Sequence, residues 1–197
     1  MIKQNFKIVF DDYFQKLKQI YNENFNHNPD TYFSENWNKD IIVSQENDSG
    51  NFEWEPKPQN TNLDWQKIEL ALGYTLNQNI KDFYSVYSFA RFGGDLKTNK
   101  FENISLRFYS VNFEKPATEC ILQNHKDGSY YYKDSQIMVL GDACIDDNDS
   151  YFIFYDNKTD SLFCMDTSLY EESNHKQKRK VYIVKLLPSL KKLQPSI

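Results

Sequence analysis

The strongest candidates for chemistry in this chain are four aspartates in one short segment: Asp142, Asp146, Asp147 and Asp149. Four carboxylates so close in sequence could hold a divalent cation, and the first positions of the run that begins at Asp146 match the pattern of a calcium-binding loop. The pattern fails at its sixth position, where Tyr151 replaces glycine, and at its twelfth, where Asn157 replaces glutamate. A solvated acidic loop or a contact for a basic partner is the better interpretation, and a metal-dependent hydrolase is the weaker alternative.

Other catalytic signals are absent from the sequence. The three histidines lie in polar stretches, which is typical of solvated side chains: His27, His125 and His175. Cys120 and His125 could be a nucleophile and its base, but no third residue to orient them is evident. The sequence has no glycine-rich phosphate loop and none of the common hydrolase motifs. We therefore predict no catalytic residue, no cofactor and no metal.

The three cysteines are too far apart to resemble a zinc site: Cys120, Cys144 and Cys164. An odd number of cysteines, without an apolar leader at the N-terminus, is typical of the reducing cytoplasm. No apolar run approaches the roughly 20 residues that span a bilayer. These features predict a soluble cytoplasmic protein, and 197 residues suffice for one domain over residues 1–197.

The charge of the chain is unevenly distributed. Of 23 basic and 28 acidic residues, seven basic and two acidic ones follow position 170, so the remainder carries a net charge of −10. An acidic body repels nucleic acid and attracts basic partners. The aromatic content of 16% could serve base stacking, but stacking needs a basic groove beside the rings. We predict a basic protein partner and no nucleic-acid partner.

Apolar spacing predicts several helices around a run of strands. An amphipathic helix covers Phe6–Phe25, a second is capped by Asn62 or Asp64 and ends at Gly73, and a third begins after Asn77. Two further helices are predicted at 112–124 and at 181–193, the latter with an interruption near its proline.

Strands are predicted where hydrophobic residues alternate or form short runs: Phe101–Ser110, Gln136–Leu140, Tyr151–Tyr155 and Ser161–Met165. Phe92–Asp95, with its two glycines, is predicted to form a turn. Helices at both ends of a run of strands indicate an α+β fold. We expect a twisted, mainly antiparallel sheet of about five or six strands with helices packed beside it.

Five short sequence motifs follow one another along the chain. They are FEWEPKP at 52–58, WQKIELAL at 65–72, NIKDFY at 79–84 followed by GDL at 94–96, FENISL at 101–106, and LLPSLKKLQP at 186–195. In type and order these motifs resemble those of the Syd family of SecY-interacting proteins, within the SUKH superfamily. The resemblance covers nearly the whole chain, whereas residues 112–149 fit it poorly. Trp54 and Trp65 in these motifs are interpreted as core anchors.

The resemblance implies a SUKH fold and a binding role without catalysis. Syd-like proteins bind the cytoplasmic loops of the SecY translocon, and many SUKH proteins are immunity proteins that block a cognate toxin. Translocon loops are basic, and so are the substrate grooves of nuclease toxins. The divergent centre of the chain favours the immunity role, with SecY binding as the alternative and any membrane association only peripheral, through a protein partner.

Acidic residues near predicted loops are the candidate contacts for such a partner: Asp95, Glu102, Asp142, Asp146, Asp147 and Asp149. Their carboxylates would pair with lysine and arginine side chains of the partner. Tyr130 and Tyr131 are the candidate aromatic anchors, because tyrosine is common among the residues that dominate binding energy at interfaces.

Overall fold

A computed structural model of the protein describes residues 2–59, 62–96, 103–133, 135–167, 180–184 and 186–195. Within these ranges there are five α-helices: α1 (Ile2–Phe25), α2 (Trp65–Leu72), α3 (Gln78–Val86), α4 (Ala117–Tyr131) and α5 (Leu186–Lys192). A 3-10 turn, Lys39–Ile41, lies in the long segment between α1 and α2.

The first three helices confirm the predicted ones, and their ends follow from the sequence. The Asp64 side chain accepts a hydrogen bond from the backbone N–H of Lys67 at 3.0 Å, and Gly73 ends α2 with φ +78°. Asn77 caps α3 in the same way, accepting from the N–H of Asn79 at 2.9 Å. Helix α4 begins later than predicted, at Ala117, because the preceding Pro116 has no N–H and serves as its N-cap residue.

The main sheet has seven antiparallel strands among the described residues. Their bounds are β5 (Phe92–Asp95), β6 (Ile104–Phe108), β7 (Ile137–Ile145), β8 (Asn148–Asp156), β9 (Ser161–Asp166), β10 (Lys180–Val184) and β11 (Gln194–Pro195). Their order across the sheet is β10-β9-β8-β7-β6-β5-β11. Six of them have four or more residues, and the seventh, β11, is a two-residue edge strand. The expected α+β class is confirmed.

Two short ladders fasten the segments outside the main sheet. One pairs β1 (Asp30–Thr31) with β2 (Phe52–Glu53), and the other pairs β3 (Lys57–Pro58) with β4 (Tyr87–Ser88). The second ladder contains the end of the FEWEPKP motif. This motif therefore joins the segment before α2 to the end of α3.

Two secondary-structure predictions were wrong. Residues 92–95 form strand β5 rather than a turn, because Gly93 and Gly94 let the neighbouring backbones approach closely. Residues 180–184, predicted to begin the last helix, pair with β9 as strand β10. Residues 180–184 pair with the edge of β9 that faces away from β8. The helical part of the predicted segment is Leu186–Lys192.

The main hydrophobic core lies between α1, α3, α4 and one face of the sheet. Phe10 is 1% exposed, and its ring lies 5.7–5.8 Å from those of Phe14, Phe83, Phe89 and Phe92. The NIKDFY and FEWEPKP motifs contribute buried residues to this core, among them Trp54 at 2% exposure. Trp65 is only partly buried against it. The prediction that Trp54 anchors the core is therefore confirmed.

The opposite face of the sheet, which we call the outer face, is covered only in part. A smaller apolar cluster covers β7, β8 and β9: Tyr132, Ile137, Val139, Phe154, Phe163 and Met165. Because β7–β9 bury side chains on both faces, their sequences read as continuous apolar runs rather than alternating ones. Toward β5 and β6 the outer face carries polar and charged side chains.

Candidate functional site

The aspartate segment forms a tight turn between β7 and β8. Ile145 pairs with Asn148, so Asp146 and Asp147 are the two central residues of a hairpin. Their φ angles are +48° and +65°, the left-handed conformation of a type I′ turn. Aspartate tolerates this backbone better than most residues, so the turn itself favours the Asp-Asp pair. Both side chains are exposed to solvent.

The hairpin turn is held against the start of β6. The backbone N–H of Asp146 donates to the carbonyl of Asn103 at 3.0 Å. The Asn103 N–H in turn donates to the Asp146 Oδ1 at 3.3 Å. Only one oxygen of Asp146 is used in this contact, and the carboxylate stays available to a partner.

Arg107 partly neutralises the outer face next to the hairpin. Its Nε lies 2.5 Å from the Asp142 carboxylate, whose side chain is 19% exposed. Its second contact, 3.5 Å to Asp149, is with a side chain that is 74% exposed. Arg107 and Asp142 are direct neighbours across the β6–β7 ladder. Asp142 is thus engaged within the protein, whereas Asp149 keeps much of its surface for other contacts.

Arg107 was not predicted from the sequence as a residue of the site. Alternation along β6 was the available signal: Leu106 and Phe108 are buried in the core, so the residue between them must lie on the outer face. Its pairing with Asp142 depends on the register of two strands distant in sequence, which the sequence alone does not provide.

Asp95 lies at the same end of the outer face. It pairs with Ser105 on β6, and Ser105 pairs with Cys144 on β7, so these three residues form one row across the sheet. Neighbouring strands lie about 4.8 Å apart, which places Asp95 about 10 Å from Cys144. Burial and the nearby Asp149 carboxylate raise the pKa of the Cys144 thiol, so the thiol form is favoured there.

The structure thus brings five of the six predicted acidic contacts together: Asp95, Asp142, Asp146, Asp147 and Asp149. We call this group the acidic face. Glu102 lies outside the described residues. Of the two predicted aromatic anchors, Tyr130 is 54% exposed, whereas Tyr131 is partly buried, with its ring 5.9 Å from that of Phe152. Since Phe152 pairs with Asp142, Tyr131 borders the acidic face.

A cleft next to Arg107 is shared by the segment that follows α1 and the strands β5 and β6. It has a volume of about 380 Å³. Its lining includes Pro29 and Asp30 from that segment, and Arg91, Ser105 and Arg107 from in or beside the two strands. The Arg91 guanidinium lies 5.7 Å from the centre of the Tyr109 ring, in a cation–π contact.

The described residues form no site for the two alternative chemistries, a cysteine nucleophile and a bound metal ion. Cys120 is buried, and its thiol donates to the carbonyl of Lys115. Burial raises the pKa of that thiol, which disfavours the nucleophilic thiolate. Among the residues that the structure describes, no three His, Cys, Asp or Glu side chains are grouped so that they could hold a metal ion. No helix in the described ranges is long and apolar enough to span a membrane.

The chain was compared with models of known protein families. The family model described as Syd protein (SUKH-2) matches residues 7–126, which is more than half of the chain. No curated protein matches the sequence. The matched segment begins within α1, includes α2, α3, β5 and β6, and ends within α4. Most of the acidic face, including the whole β7–β8 hairpin, lies beyond it.

Proposed function

The chain belongs to the Syd (SUKH-2) family, and from this membership we propose that it is an immunity protein that binds a cognate bacterial toxin and covers its basic active site. The family supports a protein-binding role. The observation that carries the finer proposal is the acidic face, where the exposed Asp146 and Asp147 carboxylates project from a fixed turn.

The position of the acidic face relative to the family match favours an individual partner. The segment that matches the family builds much of the main core, whereas the β7–β8 hairpin follows it in the chain. A surface outside the matched segment suits a partner that differs from one family member to the next. Exposed carboxylates accelerate encounter with a basic protein, which suits rapid capture of a toxin.

The second candidate function is binding to the cytoplasmic loops of SecY. Those loops carry an excess of lysine and arginine, so the same acidic face would suit them. Membrane association would then be peripheral and would depend on the partner. Both functions require no catalysis or cofactor, and both place the protein in the cytoplasm, which agrees with its three unpaired cysteines.

Co-purification of the tagged protein from its native host, followed by mass spectrometry, separates the two functions. Recovery of a soluble toxin whose activity the protein inhibits would support the immunity role. Recovery of SecY from the membrane fraction would support the alternative and overturn our first proposal. A stoichiometric divalent ion found by elemental analysis, with no bound protein, would instead favour a metal-dependent enzyme.

The acidic face is tested by removing charge without straining the turn. Asn-Gly is the preferred sequence of a type I′ turn, so Asp146→Asn with Asp147→Gly removes two charges and keeps the fold. We expect affinity for the identified partner to fall about 2- to 30-fold, because two exposed ion pairs contribute roughly 0.2–1 kcal/mol each. Isothermal titration calorimetry measures this change. Asp12→Asn with Glu23→Gln, at two exposed carboxylates on α1, is the control that matches the change in net charge, and equal losses in both variants would contradict a local contact.

A further inference from the structure

A second surface combines exposed aromatic rings with uncompensated negative charge. It is the segment 30–40, between α1 and α2, which we call the aromatic loop. Its central ring, Trp37, lies edge-on to Tyr32 at 5.7 Å and to Phe113 at 5.1 Å. Tyr32 is 63% exposed, although it is a large aromatic side chain. An exposed tyrosine supported by a partly buried tryptophan resembles the aromatic anchors of protein interfaces.

The aromatic loop is fixed in place by backbone contacts. The N–H of Asn38 donates to the carbonyl of Phe113 at 2.9 Å, and its side-chain amide donates to the carbonyl of Asn112 at 2.8 Å. The N–H of Trp37 donates to the carbonyl of Ser34 at 2.9 Å, which closes a turn. Because these contacts order the loop before any partner arrives, binding would cost little conformational entropy.

The charge around the aromatic loop is strongly negative. Residues 30–55 contain seven acidic residues and one lysine, a net charge of −6, which exceeds the −5 of the whole chain. Three of the carboxylates have partners within the described structure. Asp30 accepts from the side chains of Asn47 and Asn51, Glu53 accepts from Asn28, and Glu55 pairs with Lys18.

The other four carboxylates in this segment are exposed, and none forms an ion pair with another described residue: Glu35, Asp40, Glu46 and Asp48. Glu35 lies in the turn between the Tyr32 and Trp37 rings. Lysine and arginine side chains are attracted both to carboxylates and to the face of a tyrosine ring. The surface is therefore complementary to a cationic polypeptide.

From these observations we infer that the aromatic loop is a docking surface for a lysine- and arginine-bearing segment of a partner protein. Tyr32 stacks on the cationic side chains, and Glu35 and Asp40 pair with them. The inference rests on the proposed function as a protein-binding domain and adds a second contact surface to it. Asp30, at the start of the loop, and Arg107, which pairs with Asp142 of the acidic face, line the same cleft.

The inference is tested with a defined probe, the synthetic peptide (Arg-Gly-Lys-Gly)4, in a ¹H–¹⁵N NMR titration of the full chain at low salt. We expect the largest shift changes at the amides of residues 30–40 and at the indole N–H of Trp37. Tyr32→Ser should weaken peptide binding about two- to fivefold, as expected for loss of an exposed cation–π contact. Glu35→Lys with Asp40→Lys should abolish the shifts at the loop.

Two controls separate a docking surface from general electrostatic attraction. Leu70→Ser alters a more exposed apolar residue on α2, at 83% exposure, and should leave the affinity unchanged. Asp12→Lys with Glu23→Lys alters two exposed carboxylates on α1, matches the charge change of the double reversal and should retain most of the loop's shifts. A Tyr32→Ser variant with unchanged circular dichroism and melting temperature reports on the surface and not on folding.

Shift changes confined to residues 146–149, or equal losses in the charge-matched control, would overturn the inference while leaving the acidic face as the contact. Dimerisation that Tyr32→Ser abolishes, seen by analytical ultracentrifugation, would assign the loop to a second copy and also overturn it. Failure of the proposed function has a different signature, since it concerns the identity of the protein recovered from the host.

Discussion

His125 lies where the segment after α2, helix α4 and strand β7 meet. Its Nδ1 is 3.1 Å from the hydroxyl of Tyr74, and its ring also hydrogen-bonds the backbone of Ile137. Burial lowers the pKa of His125 below its usual 6.5, and burial raises the pKa of Tyr74 to about 12. The folded protein therefore favours the neutral imidazole beside a neutral phenol. His125, considered from the sequence as a base for Cys120, thus connects three elements of the fold.

We predict that His125 makes the protein less stable in mild acid. The unfolded chain takes up a proton near pH 6.5, whereas the folded state resists protonation until a lower pH. The unfolded state then binds more protons, so this contribution to stability falls as the pH drops through 6.5 and levels off below the folded pKa. Thermal unfolding between about pH 7.5 and 5.5 measures the effect.

The contribution of His125 is isolated by comparison with two variants. His125→Gln should show a smaller fall in melting temperature over this pH interval, because the titrating group is gone. His27→Gln, at a histidine outside this junction, should keep the fall of the wild type. A pH dependence identical in the wild type and His125→Gln would contradict the assignment.

At the scale of elements, Gly93 and Gly94 determine how β5 enters the sheet. A Cβ atom at Gly93 would lie 2.1 Å from the carbonyl oxygen of Leu106, and one at Gly94 would lie 1.9 Å from that of Gln194. Real side chains do not approach backbone so closely. The two glycines therefore permit close contact of β5 with β6 and β11, and neither has the positive φ of a turn residue.

We predict that Gly94→Ala detaches the C-terminal edge strand. The added methyl group meets the backbone of Gln194, so β11 must move away from β5, at a cost of about 1–3 kcal/mol in the free energy of unfolding. Urea unfolding measures the loss, and hydrogen exchange should accelerate at the amides of Asp95 and Gln194. Ser105→Ala, on the neighbouring strand, should change stability by less than about 0.5 kcal/mol. Unaltered exchange at β11 in the alanine variant would refute the close contact.

The ends of a helix could be predicted from the sequence where the capping interaction lies within the same short segment. Asp64 and Gly73 mark the ends of α2 because caps satisfy backbone groups within the same segment. Register across the sheet is a long-range property, so the pairs Arg107–Asp142 and Asp95–Ser105 could not be predicted. The strand at 180–184 was missed for the same reason, since its pairing with β9 outweighs local helical spacing.

Across the whole molecule, the two acidic surfaces adjoin one cleft. The aromatic loop begins at Asp30, which lines the cleft, and the acidic face adjoins it through Arg107, which pairs with Asp142. Arg91 and Arg107 both line the cleft, so a partner chain there would meet guanidinium groups as well as the neighbouring carboxylates. This arrangement orients a basic partner more strongly than a uniformly acidic surface would, because wrongly placed cations are repelled.

The charge arrangement makes salt dependence the sharpest whole-molecule test. For a partner that spans the cleft, we predict that the association rate falls at least about tenfold between roughly 50 and 500 mM salt, because screening removes electrostatic steering. The dissociation rate should change much less.

The binding free energies lost in Tyr32→Ser and in the Asp146→Asn, Asp147→Gly variant should add within about 0.5 kcal/mol when the two variants are combined, since the two surfaces are separate.

Stopped-flow fluorescence with the partner recovered from the host measures these rates. The Leu70→Ser variant provides the reference, because its charge is unchanged and its altered side chain lies on α2. If the Tyr32→Ser variant abolished the effect of Asp146→Asn with Asp147→Gly on binding, the two surfaces would belong to a single contact. An association rate insensitive to salt would show that apolar complementarity, and not the charge gathered around the cleft, selects the partner.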